Sequence, residues 1–334
     1  PDVPVGAWQA HDLQVAAKSI PAIVAAPDGR LFAGVNNNGL RVYAPAANGV
    51  YSWSEIKSAA NQLASNNVTA LAIFRNQLWV GTSDAGISVL DLAANTWTTF
   101  NTGNGLPSNA INRLTPVKAT EALSSDYLWA STNGGAALYS KPLLGNYGWS
   151  VVNTGNGLPD NEVLDVAVWT VQGTTYTFFA TADGLMRRNG ATMIEINGGT
   201  GCLFDRAMRI VVDHKNALWM AVQQNVPAVA AASADALDAP TGADAVDAPQ
   251  AGAWVPLGVC QFTPGVGGGY VRFDASTPGL PSSLATDLSV DDAGRVWMSF
   301  MSSGGGSQGG LASYDQGAWL IMRALNRPPV PAQG

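Results

Sequence analysis

Charge is scarce in this chain: Asp, Glu, Lys and Arg make up 12% of its 334 residues, about half the share usual in soluble globular domains. Lys and Arg number 17, are nowhere clustered, and leave a net charge of −7. Nucleic-acid binding needs clustered cations that release counterions from phosphates, so no nucleic-acid partner is expected. The two cysteines exclude the tetrahedral Cys-rich zinc sites, and the two histidines, His11 and His214, are far apart. Neither a metal nor any other cofactor is expected. No apolar run approaches the roughly 20 residues that span a bilayer, and no charged-then-apolar leader opens the chain. The G-x-S-x-G elbow, H-E-x-x-H and a phosphate loop ending in Gly-Lys are all missing, so no residue is assigned to catalysis.

What is abundant is turn chemistry. The 37 Gly and 19 Pro separate short runs rich in Val, Ile, Trp and Tyr, which predicts an all-β chain. Asn101-Thr-Gly-Asn-Gly-Leu-Pro107 returns as Asn153-Thr-Gly-Asn-Gly-Leu-Pro159, and a worn copy stands at Ser276-Thr-Pro-Gly-Leu-Pro281. Each copy precedes an apolar strand, a turn, an aromatic-rich strand and a glycine turn, a unit of about 45 residues, which is the size of a propeller blade. The aromatic-rich strands are Leu31–Val35, Leu78–Thr82, Leu128–Thr132, Thr177–Thr181, Leu218–Val222 and Val296–Phe300. Six such strands predict a β-propeller of six four-stranded blades, with seven as the alternative. Outer strands carry Trp53, Trp97, Trp149, Met193, Tyr270 and Trp319; counting Trp8 gives one outer segment too many, so Trp8 or Trp319 is surplus. The propeller is expected over 1–325 as a single domain, with a Pro-rich tail at 326–334 and an insert at 225–252 between two strands of the fifth repeat.

The series Gly105-Leu-Pro-Ser-Asn109, Leu128-Trp129, Thr132 and Gly134-Gly135 resembles the two-component regulator propeller repeat of bacteria, and the resemblance covers nearly the whole chain outside 225–253. It implies a propeller of the kind found in periplasmic sensor regions and other exported proteins, where such domains bind ligands or partners. Low charge, an Asn/Gly/Thr-rich surface and a start, Pro1-Asp-Val-Pro4, without methionine point the same way, to a periplasmic or extracellular location.

Nine of the eleven tryptophans fall at two repeat positions and are expected to pack between blades. Trp169 and Trp254 fall off the pattern and are the free candidates. Cys202 and Cys260 are placed close enough for a disulfide in an oxidising compartment. Strand direction alternates within a blade, so the turns after the aromatic strands share a face with the GLP loops. That face would carry Asn37, Asp84, Asn133 and Asp183 from the turns, Asn109 and Asn161 from the loops, and the insert above them. Such an amide-rich face suits a protein partner or a neutral polar ligand such as a glycan. The expected function is non-enzymatic ligand recognition or protein docking, with an accessory subunit of a surface or periplasmic assembly as one form of it; the alternatives are a propeller lyase or glycan-acting hydrolase, which needs a converging acid and base, and a detached sensor ectodomain of a two-component system.

Overall fold

The computed structural model describes residues 19–45, 51–59, 62–119, 125–171, 173–226, 253–263, 269–278, 280–301, 309–315 and 317–323. Within them every regular sheet is built from consecutive strands. β1 (Ala22–Ala25), β2 (Leu31–Val35), β3 (Gly39–Pro45) and β4 (Tyr51–Ile56) form the first. β5 (Val68–Phe74), β6 (Gln77–Thr82), β7 (Ile87–Asp91) and β8 (Trp97–Phe100) form the second, and β9 (Ile111–Val117), β10 (Tyr127–Thr132), β11 (Gly135–Ser140) and β12 (Gly148–Val152) the third. β13 (Val163–Val171), β14 (Thr174–Thr181), β15 (Gly184–Asn189) and β16 (Thr192–Ile196) make the fourth, followed by a small hairpin, β17 (Gly198–Gly199) and β18 (Cys202–Leu203). The fifth is β19 (Arg206–Val212), β20 (Leu218–Val226), β21 (Ala253–Phe262) and β22 (Tyr270–Phe273); the sixth is β23 (Ala285–Val290), β24 (Val296–Phe300), β25 (Gly310–Asp315) and β26 (Ala318–Arg323).

Six four-stranded antiparallel sheets of this order define a six-bladed β-propeller. Trp319 lies in β26, so the surplus outer segment is the one around Trp8, which falls outside the described residues. The Pro-rich tail and residues 227–252 fall outside them too. The chain divides into two compact units, Pro1–Val151 and Val152–Gly334. In the first, β5 lies against β1 and β9; in the second, β19 lies against β13 and β23, so first strands pack side by side.

Burial follows position within the sheet. The second strands β6 and β10 are buried on both faces, each with five successive buried residues, and this is why they read as unbroken apolar runs, whereas β24 alternates. Among first strands β5 alternates, while β13 is buried over its first five residues. Where a second strand passes close to the next sheet, glycine is required: a Cβ on Gly34 would lie 2.5 Å from Val68 Cγ1, and one on Gly81 2.7 Å from Ile111 Cγ2. Each second strand of the second, third and fourth sheets ends in a fully buried threonine that closes the next turn. Thr82, Thr132 and Thr181 donate from Oγ1 to the carbonyls of Gly86, Gly135 and Gly184.

The aromatic repeat positions build matching boxes between sheets. In the first unit Trp79 stacks on Phe100 (centroids 5.6 Å apart, planes 16° apart) beside Tyr139 and Trp149. In the second Trp219 stacks on Phe273 (5.7 Å, 16°) beside Tyr314, and Trp319 closes the box. Packing between blades therefore accounts for these tryptophans as expected. Trp169 is corrected: it lies on β13, 3% exposed, in the apolar cluster with Phe178 and Phe204, and is no free ligand platform.

Two of the hairpin turns between first and second strands carry a further device. Asp213 and Asp291 each accept backbone N–H bonds within their own hairpin turn and an indole N–H six residues on, from Trp219 and Trp297, both at 2.8 Å. Desolvation pushes the Asp291 carboxyl up, but the donors from Trp297 and Arg295 outweigh it and hold its pKa at about 2, against an ordinary 3.8. A carboxyl depressed by folding stabilises the fold above its unfolded pKa and loses that contribution as pH falls toward its folded value. Asp291→Asn is therefore expected to flatten the fall in melting temperature between pH 5 and pH 2. The effect is about 1 kcal/mol, discounted because water screens a partly exposed carboxylate; parallel melting curves for both proteins across that range would show the idea wrong.

Candidate functional site

The GLP loops are self-braced. In the first copy Gly103 N–H donates to Asn101 Oδ1, Asn101 N–H to Asn104 Oδ1, and Thr102 N–H to Asn109 Oδ1 at 2.9 Å. The second copy repeats this through Asn153, Asn156 and Asn161, the last accepting from Thr154 N–H at 2.9 Å. The worn copy keeps the bond with a serine: Ala275 N–H donates to Ser283 Oγ. Leu106, Leu158 and Leu280 are buried beneath. Asn109 and Asn161, read from sequence as ligand-facing, thus spend their side-chain carbonyls on the loop itself.

The loops and the turns after second strands do share one end of the strands. Gly86 N–H donates to Asn109 O, Asn133 N–H to Ala110 O, Ser83 N–H to Asn67 O, and Ala182 N–H to Glu162 O. Asn112 Nδ2 donates to Asn133 Oδ1, which ties that turn residue to the adjoining strand.

Four of the predicted residues line two cavities, one in each unit, while Asn109, Asn133 and Asn161 line neither. In the first unit Asn37 and Asp84 line a polar cavity of about 450 Å³ with Ser58, Asn66 and Asn67. Asn37 is exposed with φ +57°, and Asn67 Nδ2 donates to Asp84 Oδ2 at 2.8 Å. No aromatic ring lines this cavity among the described residues.

In the second unit Asp183 and Trp254 share a cavity of about 420 Å³ with Glu195, Asn197, Asp205 and Asn225. It exists because β20 and β21 run past the end of the sheet. The pair continues through Asn225 opposite Trp254 and Val226 opposite Ala253, after a register shift at Val222/Gln223. The first two residues of the predicted insert, Asn225 and Val226, are thus ladder residues. Asp205 Oδ2 accepts from Asn225 N–H at 2.6 Å, and the Arg206 guanidinium donates twice to Gln223 Oε1 while lying 3.8 Å from the Trp254 ring centroid. Burial pushes the Arg206 pKa down, opposed by the charge of Glu162.

Below this cavity Cys202 and Cys260 form a disulfide, with Cα atoms 6.3 Å apart. It joins the β17–β18 hairpin to the fifth sheet, and Gly199 lies so close to Tyr270 that a Cβ there would come within 2.8 Å of its ring. The segment holding Phe204 and Asp205 is pinned at its start.

The sequence reading named Asp183 and Trp254 but not Glu195, Asn197 and Asp205, which line the same cavity. Their signal was the hairpin's length, since the strand pair outruns the repeat by several residues on each side. Among the described residues no three of His, Cys, Asp and Glu converge as a metal-holding set, and no helix is long and apolar enough to cross a membrane.

The fold defines the class as a six-bladed β-propeller. The chain matches no protein-family model and no curated protein. Among solved structures it is similar to YCF48 bound to D1 peptide, at 12% identity over 96% of this chain and 86% of that one, TM-score 0.56. It is also similar to the Cps50 (Swd1) β-propeller domain of Myceliophteria thermophila, at 12% identity over 94% and 90%, TM-score 0.51. An extracellular domain described as part of a one-component system from B. thetaiotaomicron aligns at 12% identity and TM-score 0.47; this chain is 92% covered and spans 46% of that one.

Proposed function

We propose that this propeller is a non-enzymatic recognition module, working in the periplasm or outside the cell, that takes a neutral polar ligand such as a glycan. The observation that carries the reading is the cavity at Asp183, Glu195, Asn197, Asp205, Asn225 and Trp254, in which carboxylates and amides surround an indole. Carboxylate oxygens accept from hydroxyl groups, amides both donate and accept, and the indole offers a flat apolar surface. The disulfide supports an oxidising compartment, and low charge supports a hydroxyl-rich ligand over an ionic one.

The test is calorimetric titration of the protein with a panel of neutral oligosaccharides, before and after Trp254→Ala. At least one saccharide is expected to bind and to weaken roughly tenfold in the variant, the worth of one aromatic contact. Binding that is indifferent to Trp254, or absent from the whole panel, overturns the glycan reading. Chain cleavage of the bound saccharide would replace it with the enzymatic one.

A further inference from the structure

At the other end of the strands, where first and second strands join, the two aromatic boxes differ in the length of one connection. Beside the box of the second and third sheets, the connection from β11 to β12 runs long and returns Tyr147 onto Tyr139, with centroids 5.1 Å and planes 24° apart. The Arg75 guanidinium lies 4.4 Å over the Tyr147 ring, and the Tyr147 hydroxyl donates to the Asp126 carbonyl at 2.9 Å. A phenol is held there by a stacking ring, a cation and a main-chain acceptor.

The box of the fifth and sixth sheets offers a ring, a cation and a main-chain carbonyl at the corresponding sequence positions. Tyr314 stands where Tyr139 stands: it pairs in register with Val296 as Tyr139 pairs with Leu128. Counted back from the second-strand tryptophans, Lys215 holds the place of Arg75, four residues before Trp219 and Trp79 respectively, and Gly294 holds that of Asp126, three before Trp297 and Trp129. Here, however, the connection from β25 to β26 is short, from Asp315 to Ala318. In place of a returned tyrosine there is a cavity of about 390 Å³, lined by Lys215, Gln261, Thr263, Gly294 and Tyr314.

We infer that this notch receives a tyrosine side chain presented by a partner protein, which would occupy it as Tyr147 occupies its counterpart. The ring would stack on Tyr314, accept the Lys215 ammonium over its face and donate its hydroxyl to the Gly294 carbonyl. The occupant is a polypeptide side chain because its counterpart is delivered on a loop. The notch lies at the opposite strand end from the Trp254 cavity, so this inference does not depend on the glycan reading.

The probe is N-acetyl-tyrosinamide, titrated into the isotopically labelled full chain with the indole N–H signals of Trp219 and Trp297 as reporters. Those signals are expected to shift saturably, with N-acetyl-phenylalaninamide about fivefold weaker for want of one hydrogen bond and N-acetyl-alaninamide silent. Thr263→Trp, an exposed position at the rim, is expected to fill the notch and abolish the shifts while the rest of the spectrum is unchanged. Lys215→Ala is expected to weaken binding severalfold. Equal shifts from alaninamide, tyrosinamide shifts that survive Thr263→Trp, or a folded protein whose reporters never move would each overturn the inference.

Discussion

Trp219→Ala is expected to destabilise the second unit by about 4 kcal/mol, the range of buried Trp-to-Ala changes. The indole is fully buried, stacks on Phe273, touches Tyr314 and donates from Nε1 to Asp213 Oδ2 at 2.8 Å. Truncation opens a cavity between two sheets that are held apart by their backbones and cannot collapse onto it. It also deprives Asp213 of one of its donors. Trp219→Phe separates the two losses: the ring stack survives, the N–H does not, and about 1–2 kcal/mol is expected. Trp79→Phe is the matched control, since Trp79 occupies the same box position but its Nε1 has no hydrogen-bond partner. It should cost clearly less than Trp219→Phe. Urea unfolding followed by circular dichroism measures all three, and equal costs for the two Phe variants would refute the role given to Asp213.

Removing the disulfide by Cys202→Ala/Cys260→Ala is the second large effect. The bridge closes a loop of 58 residues, for which lost chain entropy alone predicts about 4 kcal/mol. More specific is the local consequence. The bridge pins the hairpin from which Phe204 and Asp205 lead into the Trp254 cavity, and Asp205 in turn holds Asn225. The double variant, or the wild type under reductant, is therefore expected to lose glycan affinity at temperatures where its sheets remain intact. If affinity is unchanged in a folded, bridge-free protein, the disulfide braces the fold without shaping the site.

The blade count was legible because most second strands are buried on both sides and tolerate only a narrow set of residues. Leu78-Trp79 and Leu218-Trp219 look alike because each tryptophan stacks on a phenylalanine in a like box, and Cys202 with Cys260 could be paired from their places in the repeat. The roles of Asn109 and Asn161 were not legible. A side chain that accepts from a backbone N–H seven residues earlier and one that faces a ligand demand the same residue type. Trp169 misled for a related reason. It stands off the repeat because β13 is longer than other first strands, and its extra turn of sequence is buried by Phe178 and Phe262 rather than left in water. The Tyr314 notch escaped altogether, and of the Trp254 cavity only Asp183 and Trp254 were named, because each is assembled from turns whose lengths vary freely while the strands between them do not.

Every sheet here is completed by strands that follow one another directly, from β1–β4 through to β23–β26. A nascent chain leaving the ribosome can thus finish each four-stranded unit before the next is made. The average sequence distance between paired residues stays short for an all-β protein of this size. Such low contact order favours rapid assembly and shortens the time that unpaired strand edges are exposed to other chains. The exception is the fifth sheet, where β20 must wait for 26 further residues, 227–252, before its partner β21 emerges. That pause falls on the very strand pair that carries the Trp254 cavity, so this blade is the last to gain its hydrogen bonds relative to its own synthesis.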